Sequence, residues 1–92
     1  MIVGTIVKLK VECLGNIPGT KGVCYQSNET GGDRSVGIIF ENGNYDGFSE
    51  EEKREMLIPL GFNEALMNYK FENAIQLNED FEKGFFDLVF KY

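Results

Sequence analysis

The feature that most constrains this fold is a strict alternation of apolar and charged residues near the start of the chain. Residues 5–13 read TIVKLKVEC, in which four apolar side chains alternate with three charged ones: Val7, Leu9, Val11 and Cys13 with Lys8, Lys10 and Glu12. A period of two places every second side chain on the same face of a strand. The segment therefore predicts a strand with one buried face, which has to pair with other strands.

Three more strands are predicted, and residues typical of turns separate them. They lie at residues 21–26, 36–41 and 45–48. We expect Gly19 and Gly22 to permit the tight reversal before the second strand, because glycine adopts positive φ without steric cost. Asn42 and Gly43 follow the third strand directly and predict a type I′ hairpin turn. Residues 27–35, SNETGGDRS, are polar and rich in glycine, and they predict an exposed loop.

The sequence changes from strand to helix patterning at Ser49. Residues 49–52 read SEEE, which is a capping box: the Ser49 hydroxyl accepts from the backbone N–H of Glu52, and the Glu52 carboxylate accepts from that of Ser49. The predicted helix runs from residue 50 to about Leu57. It has to stop before Pro59, because the residue preceding a proline disfavours the α region.

The remaining third of the chain has mixed patterning. Residues 69–77 alternate apolar and polar side chains and predict a fifth strand. Residues 79–92 fit both a helix and a strand. The length of the segment favours the helix, although Gly84 opposes it by about 1 kcal/mol.

The order of these elements resembles that of an SH3-like small barrel: strand, glycine turn, strand, loop, strand, tight turn and strand. Residues 4–26 also resemble the KOW motif of ribosomal and transcription-factor small barrels, through an apolar strand followed by the string GTKGV at residues 19–23. The chain is similar as well to small bacterial or phage-borne proteins built on this barrel. The KOW resemblance implies that loops at one end of the barrel bind RNA or protein.

We therefore predict one α+β domain over residues 1–92. It comprises a small, partly open SH3-like barrel of five strands over about residues 3–77, with one short inserted helix. A C-terminal helical segment over about residues 78–92 covers an open face. No apolar run approaches the ~20 residues that a membrane span needs, so we expect no membrane association.

The composition argues against several classes of enzyme and of metal site. The chain has no histidine, which excludes Ser-His-Asp and Cys-His nucleophile systems, and it has no phosphate-binding loop. We expect no enzymatic activity, no cofactor and no metal. Without a secretory pattern, Cys13 and Cys24 predict a cytoplasmic protein with reduced thiols. A Cys13–Cys24 disulfide in an oxidising compartment is the alternative.

The charge favours a protein partner over a nucleic acid. Fifteen acidic residues against nine basic ones give a net charge of −6, whereas nucleic-acid binders gain affinity from a basic surface. We expect a non-enzymatic interaction module that binds a protein partner. The alternative is a KOW-type RNA- or DNA-binding regulator, with weak, ionic binding. Clustering of four cations on one surface would favour that alternative: Lys8, Lys10, Lys21 and Arg34.

Tyr25, Arg34 and Tyr45 are the predicted contacts with the partner. Tyrosine suits a half-buried rim, because its hydroxyl needs water or a hydrogen-bond partner. Tyrosine and arginine are also enriched at binding hot spots. In an SH3-like barrel the loop between strands two and three would place Arg34 near Tyr25, with Tyr45 on the neighbouring hairpin.

Overall fold

A computed structural model describes residues 1–28 and 35–91 of the chain. In these residues the elements are, in order, β1 (Thr5–Leu9), β2 (Lys21–Ser27), β3 (Val36–Phe40), β4 (Tyr45–Phe48), α1 (Glu50–Met56), β5 (Leu57–Phe62), a 3-10 turn (Glu64–Leu66), α2 (Ala74–Glu82) and α3 (Asp87–Phe90). The five strands form one antiparallel sheet in the order β4-β3-β2-β1-β5. The protein is therefore α+β, as predicted. Most of the predicted loop 27–35, including Arg34, lies outside the described residues.

The inner face of the sheet, as we call it, carries buried side chains from all five strands. The cluster contains Val7, Leu9, Cys24, Val36, Ile38, Phe40, Phe48 and Leu57. Phe48 belongs to β4 and Leu57 to β5, which are the two edges of the sheet. Because both edges contribute to one core, the sheet is strongly curved. It nevertheless stays open, since β4 and β5 do not pair with each other.

The opposite face, the outer face, is covered by the C-terminal third of the chain. Strand residues such as Val23, Tyr25 and Ile39 share a second core there with Leu66, Leu77, Phe86 and Val89. The last three are at most 2% exposed. Burying a side chain of this size contributes about 1.5–3 kcal/mol, so the C-terminal segment is an integral part of the fold.

The first predicted strand is confirmed, but it is shorter than the alternation suggests. Val7 and Leu9 are buried, whereas Val11 is exposed because β1 ends at Leu9. The chain then reverses in a two-residue hairpin, in which Cys13 and Asn16 exchange backbone hydrogen bonds of 3.0 and 2.8 Å. Its central residues, Leu14 and Gly15, have φ of +52° and +79°. Positive φ at both central positions is the geometry of a type I′ turn.

The predicted type I′ turn at Asn42 and Gly43 is wrong. Only Gly43 has positive φ there, and its N–H donates to Phe40 O at 2.9 Å. The Phe40 N–H donates in turn to Asn44 O, which gives a three-residue loop that ends in a left-handed glycine. Asn42 instead uses its side chain, whose Nδ2 donates to Leu14 O at 3.0 Å. It therefore joins this hairpin to the Leu14 turn.

Gly19 and Gly22 have different roles. Gly19 lies in the turn before β2 with φ of +91°, the conformation that the sequence led us to expect. Gly22 lies within β2 on the inner face. A Cβ atom on Gly22 would lie 2.8 Å from Ile38 Cγ2 and from Phe40 Cδ1. Gly22 is thus required by close packing and not by the turn.

The predicted capping box is confirmed, and the predicted fifth strand is wrong. Ser49 Oγ accepts from the Glu52 N–H at 3.2 Å, and Glu52 Oε1 accepts from the Ser49 N–H at 3.0 Å. β5 follows α1 directly at Leu57, and among the described strands it pairs with β1 alone, with a bulge in the ladder. Pro59 is compatible with this position because β5 is an edge strand. The alternating residues 69–73 belong to no strand, and α2 begins at Ala74.

The C-terminal segment is helical, in two pieces. Gly84 has φ of +82° and separates α2 from α3. The helical part begins at Ala74, earlier than predicted, because Asn73 Oδ1 caps the helix by accepting from the Gln76 N–H at 2.8 Å. Among the described residues, no helix has the length and apolar character needed to cross a membrane.

Candidate functional site

Two of the predicted partner contacts, Tyr25 and Tyr45, lie side by side on the outer face. Their rings meet edge to face, with centroids 6.1 Å apart. Tyr25 is only 5% exposed, however, and Phe71 packs against it with a centroid distance of 5.0 Å. Burial, reinforced by the nearby Tyr45 and Asp46, raises the pKa of Tyr25 to about 12. Phe71 and the outer core thus cover most of the surface that Tyr25 could offer to a partner.

Tyr25 also fills space that a glycine leaves empty. A Cβ on Gly37 would lie 2.6 Å from Tyr25 Cζ, so the ring lies across β3 at that position. Tyr45 is half-buried and keeps part of its surface exposed. Arg34, the third predicted contact, lies outside the described residues. No local pattern in the sequence indicates that Phe71 covers Tyr25, because the contact joins residues far apart in the chain.

A second surface is an open cleft of about 520 Å³ beside α1. We call it the α1 cleft. Its apolar lining comes from Met1, Leu57 and Pro59, and its charged lining comes from Lys10, Glu50, Lys53 and Arg54. The volume is within the range of small-molecule and peptide-side-chain pockets. The cleft lies where α1 crosses between the two open edges of the sheet.

Lys10 fixes the position of α1 beside this cleft. Its backbone N–H donates to Met56 O at 2.7 Å, and its Nζ donates to Arg54 O at 2.7 Å. Both carbonyls belong to the last turn of α1, where a cation is favoured by the helix dipole. β5 begins at Leu57, directly after the helix, and the Leu57 N–H donates to Lys53 O. Hydrogen bonds therefore hold both α1 and the start of β5 in place beside the α1 cleft.

The charge of the α1 cleft is opposite to that of the whole chain. Three cations and one carboxylate line it, whereas the net charge of the protein is −6. Lys53 Nζ pairs with Glu50 Oε2 at 3.0 Å, and their side chains are 10% and 48% exposed. Within residues 1–28 and 35–91 the Arg54 guanidinium makes no ion pair. An anionic group can therefore bind here beside an apolar surface.

The sequence contained a partial signal for this cleft. Lys53 and Arg54 follow Glu50 by three and four residues, a spacing that places the three side chains on one face of a helix. Glu51 and Glu55 lie on the exposed remainder of α1. The pattern indicates a charged helix face. It does not indicate that this face borders β5, which depends on the sheet topology.

The lysines expected to mark a nucleic-acid surface are divided between two places. Lys8 and Lys21 are directly opposite each other in the β1–β2 ladder. Lys10 lies in the α1 cleft instead, hydrogen-bonded to α1. Of these three lysines, Lys10 lines the α1 cleft, and Lys8 and Lys21 do not.

The two cysteines are both thiols. Burial raises the pKa of Cys13, and the negative charges of Asp46 and Glu52 raise it further. The Cys24 thiol is buried and donates to Gln26 O at 3.2 Å. In the part of the chain that the structure describes, no group of three or more Cys, Asp and Glu residues is placed to hold a metal ion.

Comparisons of this chain with protein-family models, with curated proteins and with solved structures found no match. The function is therefore inferred from the geometry and charge of the α1 cleft.

Proposed function

We propose that this protein is a non-enzymatic interaction module that binds an acidic segment of a protein partner in the α1 cleft. The observation that carries the proposal is the grouping of Lys10, Lys53 and Arg54 beside an apolar lining in a chain of net charge −6. Protein interfaces combine an apolar centre with a polar rim, and arginine is enriched at their hot spots. Arg54 can also bind a carboxylate through two parallel hydrogen bonds.

The cleft replaces the tyrosine pair as the main contact in this proposal. Tyr25 is covered by Phe71, and displacing the C-terminal segment would expose a buried core. Tyr45 is half-buried and can contribute to a secondary contact. A role of Tyr25, Arg34 and Tyr45 in partner binding stays a prediction.

A KOW-type regulator that binds RNA or DNA is the second candidate. The Lys8–Lys21 pair on the β1–β2 ladder favours it, because two cations on neighbouring strands can both contact the phosphates of one nucleic-acid strand. Two or three phosphate contacts would give weak binding with a shallow salt dependence. The separate position of Lys10 in the cleft favours a protein partner.

We also propose the finer fold assignment, an SH3-like barrel with a KOW-like strand-turn-strand. The strand order β4-β3-β2-β1-β5 and the curvature that joins both edges in one core support it. The KOW-like string at residues 19–23 covers the turn before β2 and the first half of that strand. A cytoplasmic location is part of the same proposal, and the two thiols support it.

Selection from a random peptide library displayed on phage tests the proposed binding. The bait is the whole chain, and each selected peptide is then measured against two charge-reversed variants. Arg54→Glu changes the cleft, and Lys70→Glu makes the same change in charge at an exposed residue away from it. Melting temperatures of both variants report whether they fold.

We expect the selected peptides to combine Asp or Glu with apolar residues. Their affinity should fall at least tenfold, about 1.4 kcal/mol, in Arg54→Glu and change less than twofold in Lys70→Glu. Equal losses in the two variants, or peptides without acidic residues, would refute the assignment of the cleft. Selective enrichment of an RNA over peptides in a parallel selection would favour the KOW-type alternative.

A further inference from the structure

We infer that the acidic segment lies extended along the α1 cleft, with its acidic residue at Lys10 and Arg54 and an apolar residue about five positions away that packs on Phe62. The inference rests on the proposed binding in the α1 cleft and adds to it a second contact and a spacing. It defines the partner as a segment with two recognised residues at a fixed separation.

The α1 cleft has a cationic end and an uncharged end. Lys10 directly follows β1, and its Nζ donates to Arg54 O at 2.7 Å, which places both residues at one end. Thr5 is the first residue of β1 and lines the other end, together with Met1. A strand rises ~3.3 Å per residue, so about 16 Å separate Lys10 from Thr5. The acidic and apolar groups of one partner therefore bind at separate places.

Phe62 borders the uncharged end of the cleft. It is directly opposite Thr5 in the β1–β5 ladder, and such residues project from the same face with Cβ atoms ~4.5–5.5 Å apart. A Cβ on Gly4 would lie 3.2 Å from Phe62 Cε2, so the ring is packed against the Gly4 backbone. The Phe62 side chain is nevertheless 41% exposed. An aromatic ring that is fixed on one side and open on the other is suited to bind an apolar residue of a partner.

The dimensions of the cleft favour an extended chain over a helix. A volume of about 520 Å³ along ~16 Å corresponds to a cross-section of about 30 Å². A helix with its side chains is ~10–12 Å across, which is a cross-section of at least about 80 Å². An extended chain covers ~16 Å in about five residues. Because Pro59 has no N–H to offer to a strand ladder, we expect side chains to hold the segment in place.

The spacing is read first from peptides that bind the unaltered protein, so this measurement needs no variant. The phage selection described above supplies them, from a library whose peptides are long enough for both extended and helical spacings. We expect Asp or Glu and a bulky apolar residue about four to six positions apart, in either chain order. A preferred separation of about ten or eleven positions would indicate a bound helix and overturn the inference. The absence of any preferred separation would overturn it too.

The contact with Phe62 is tested by Phe62→Thr, which keeps a residue type that is favourable in strands. Phe85→Thr is the matched control, because Phe85 is 43% exposed, packs against Tyr69 and Phe86, and does not line the cleft. The probe is a synthetic copy of the tightest-binding selected peptide, labelled with fluorescein, and affinity is measured by fluorescence anisotropy. A second peptide carries Ser in place of the apolar residue. Melting temperatures of both variants report whether they fold.

We expect Phe62→Thr to weaken binding of the first peptide at least fivefold, since the bound apolar residue no longer covers an aromatic ring. Phe85→Thr should change the affinity less than twofold, because this residue lies outside the cleft. With the Ser-substituted peptide, Phe62→Thr should also have an effect of less than twofold, because the two apolar groups stabilise the complex only together.

The outcomes separate this inference from the proposed function. If Arg54→Glu abolishes binding but Phe62→Thr and Phe85→Thr have the same effect, the cleft binds the acidic residue and Phe62 is not the second contact. If Phe62→Thr weakens binding of both peptides equally, Phe62 acts through the fold and the inference is wrong. If no peptide binds, or if Arg54→Glu leaves binding unchanged, the proposed function fails and the inference fails with it.

Discussion

The surroundings of Gly22 in β2 leave no room for a side chain. The loss of stability in Gly22→Ala therefore reports how tightly the inner face is packed. The Cβ of Gly22→Ala would lie 2.8 Å from Ile38 Cγ2 and from two atoms of the Phe40 ring. Carbon atoms in contact are normally ~3.5–4.0 Å apart, so these side chains must shift. Both side chains are 0% exposed, so neither can move into solvent. Overpacking of this kind costs about 1–3 kcal/mol.

Gly61→Ala is the matched control for this substitution. Gly61 is also a strand residue, it does not have positive φ, and nothing lies within 4 Å of its ideal Cβ position. Both substitutions reduce the entropy of the unfolded chain, which stabilises by about 0.4–1 kcal/mol. The difference between the two variants therefore isolates the packing contribution at Gly22.

Urea denaturation followed by circular dichroism provides the measurement. We expect Gly22→Ala to be about 1–3 kcal/mol less stable than Gly61→Ala, with an unchanged slope of free energy against urea. For a domain of this size the melting temperature should differ by about 4–8 °C for each kcal/mol. Equal midpoints for the two variants would refute the close contact between β2 and the Ile38 and Phe40 side chains.

Three further predictions concern a turn, a helix cap and a buried tyrosine. Leu14 adopts φ of +52° in a type I′ turn, so Leu14→Asn should raise the unfolding free energy in urea by about 0.5–1 kcal/mol. Ser49→Ala should lower the unfolding free energy by about 1 kcal/mol. Hydrogen bonds with Ser49 lower the pKa of Glu52, so carbon-13 NMR of the variant should show that pKa closer to its ordinary value. Because the pKa of Tyr25 is raised to about 12, its contribution to stability is complete below about pH 10 and is lost as the pH rises towards 12. Tyr25→Phe should remove that alkaline loss, as measured by urea denaturation at pH 9 and pH 11.

The elements that the sequence predicted well are those with local signals. The alternation around Val7 and Leu9 and the capping box at Ser49 both act over a few residues, and both are present in the structure. β5 carries no such signal, because Leu57–Phe62 is a short apolar run interrupted by Pro59 and Gly61. Its strand conformation depends on pairing with β1, which is more than 40 residues away. Residues 69–73 alternate because Tyr69 and Phe71 pack on the outer core, not because they pair in a sheet.

The candidate site was harder to predict than the fold. Tyr25 and Tyr45 lie on the two strands that flank β3, and their rings meet because the Tyr25 ring lies across β3 at Gly37. The burial of Tyr25 depends on Phe71, 46 residues further along the chain. The spacing of Glu50, Lys53 and Arg54 is visible in the sequence as one face of a helix. That this face borders an apolar surface required the position of β5. Contacts between distant segments therefore determine both the burial of Tyr25 and the position of the α1 cleft.

The direct junction of α1 and β5 also affects the tendency of this protein to aggregate. An open sheet has two edges whose backbone groups could recruit strands from other chains and start aggregation. On one edge the Leu57 N–H already donates to Lys53 O, and Pro59 has no N–H to offer. On the other edge the Gly47 N–H donates to Asp46 Oδ1 at 2.7 Å. The sheet can thus stay open, and keep a cleft at its opening, while its edges remain poor templates for an intermolecular ladder.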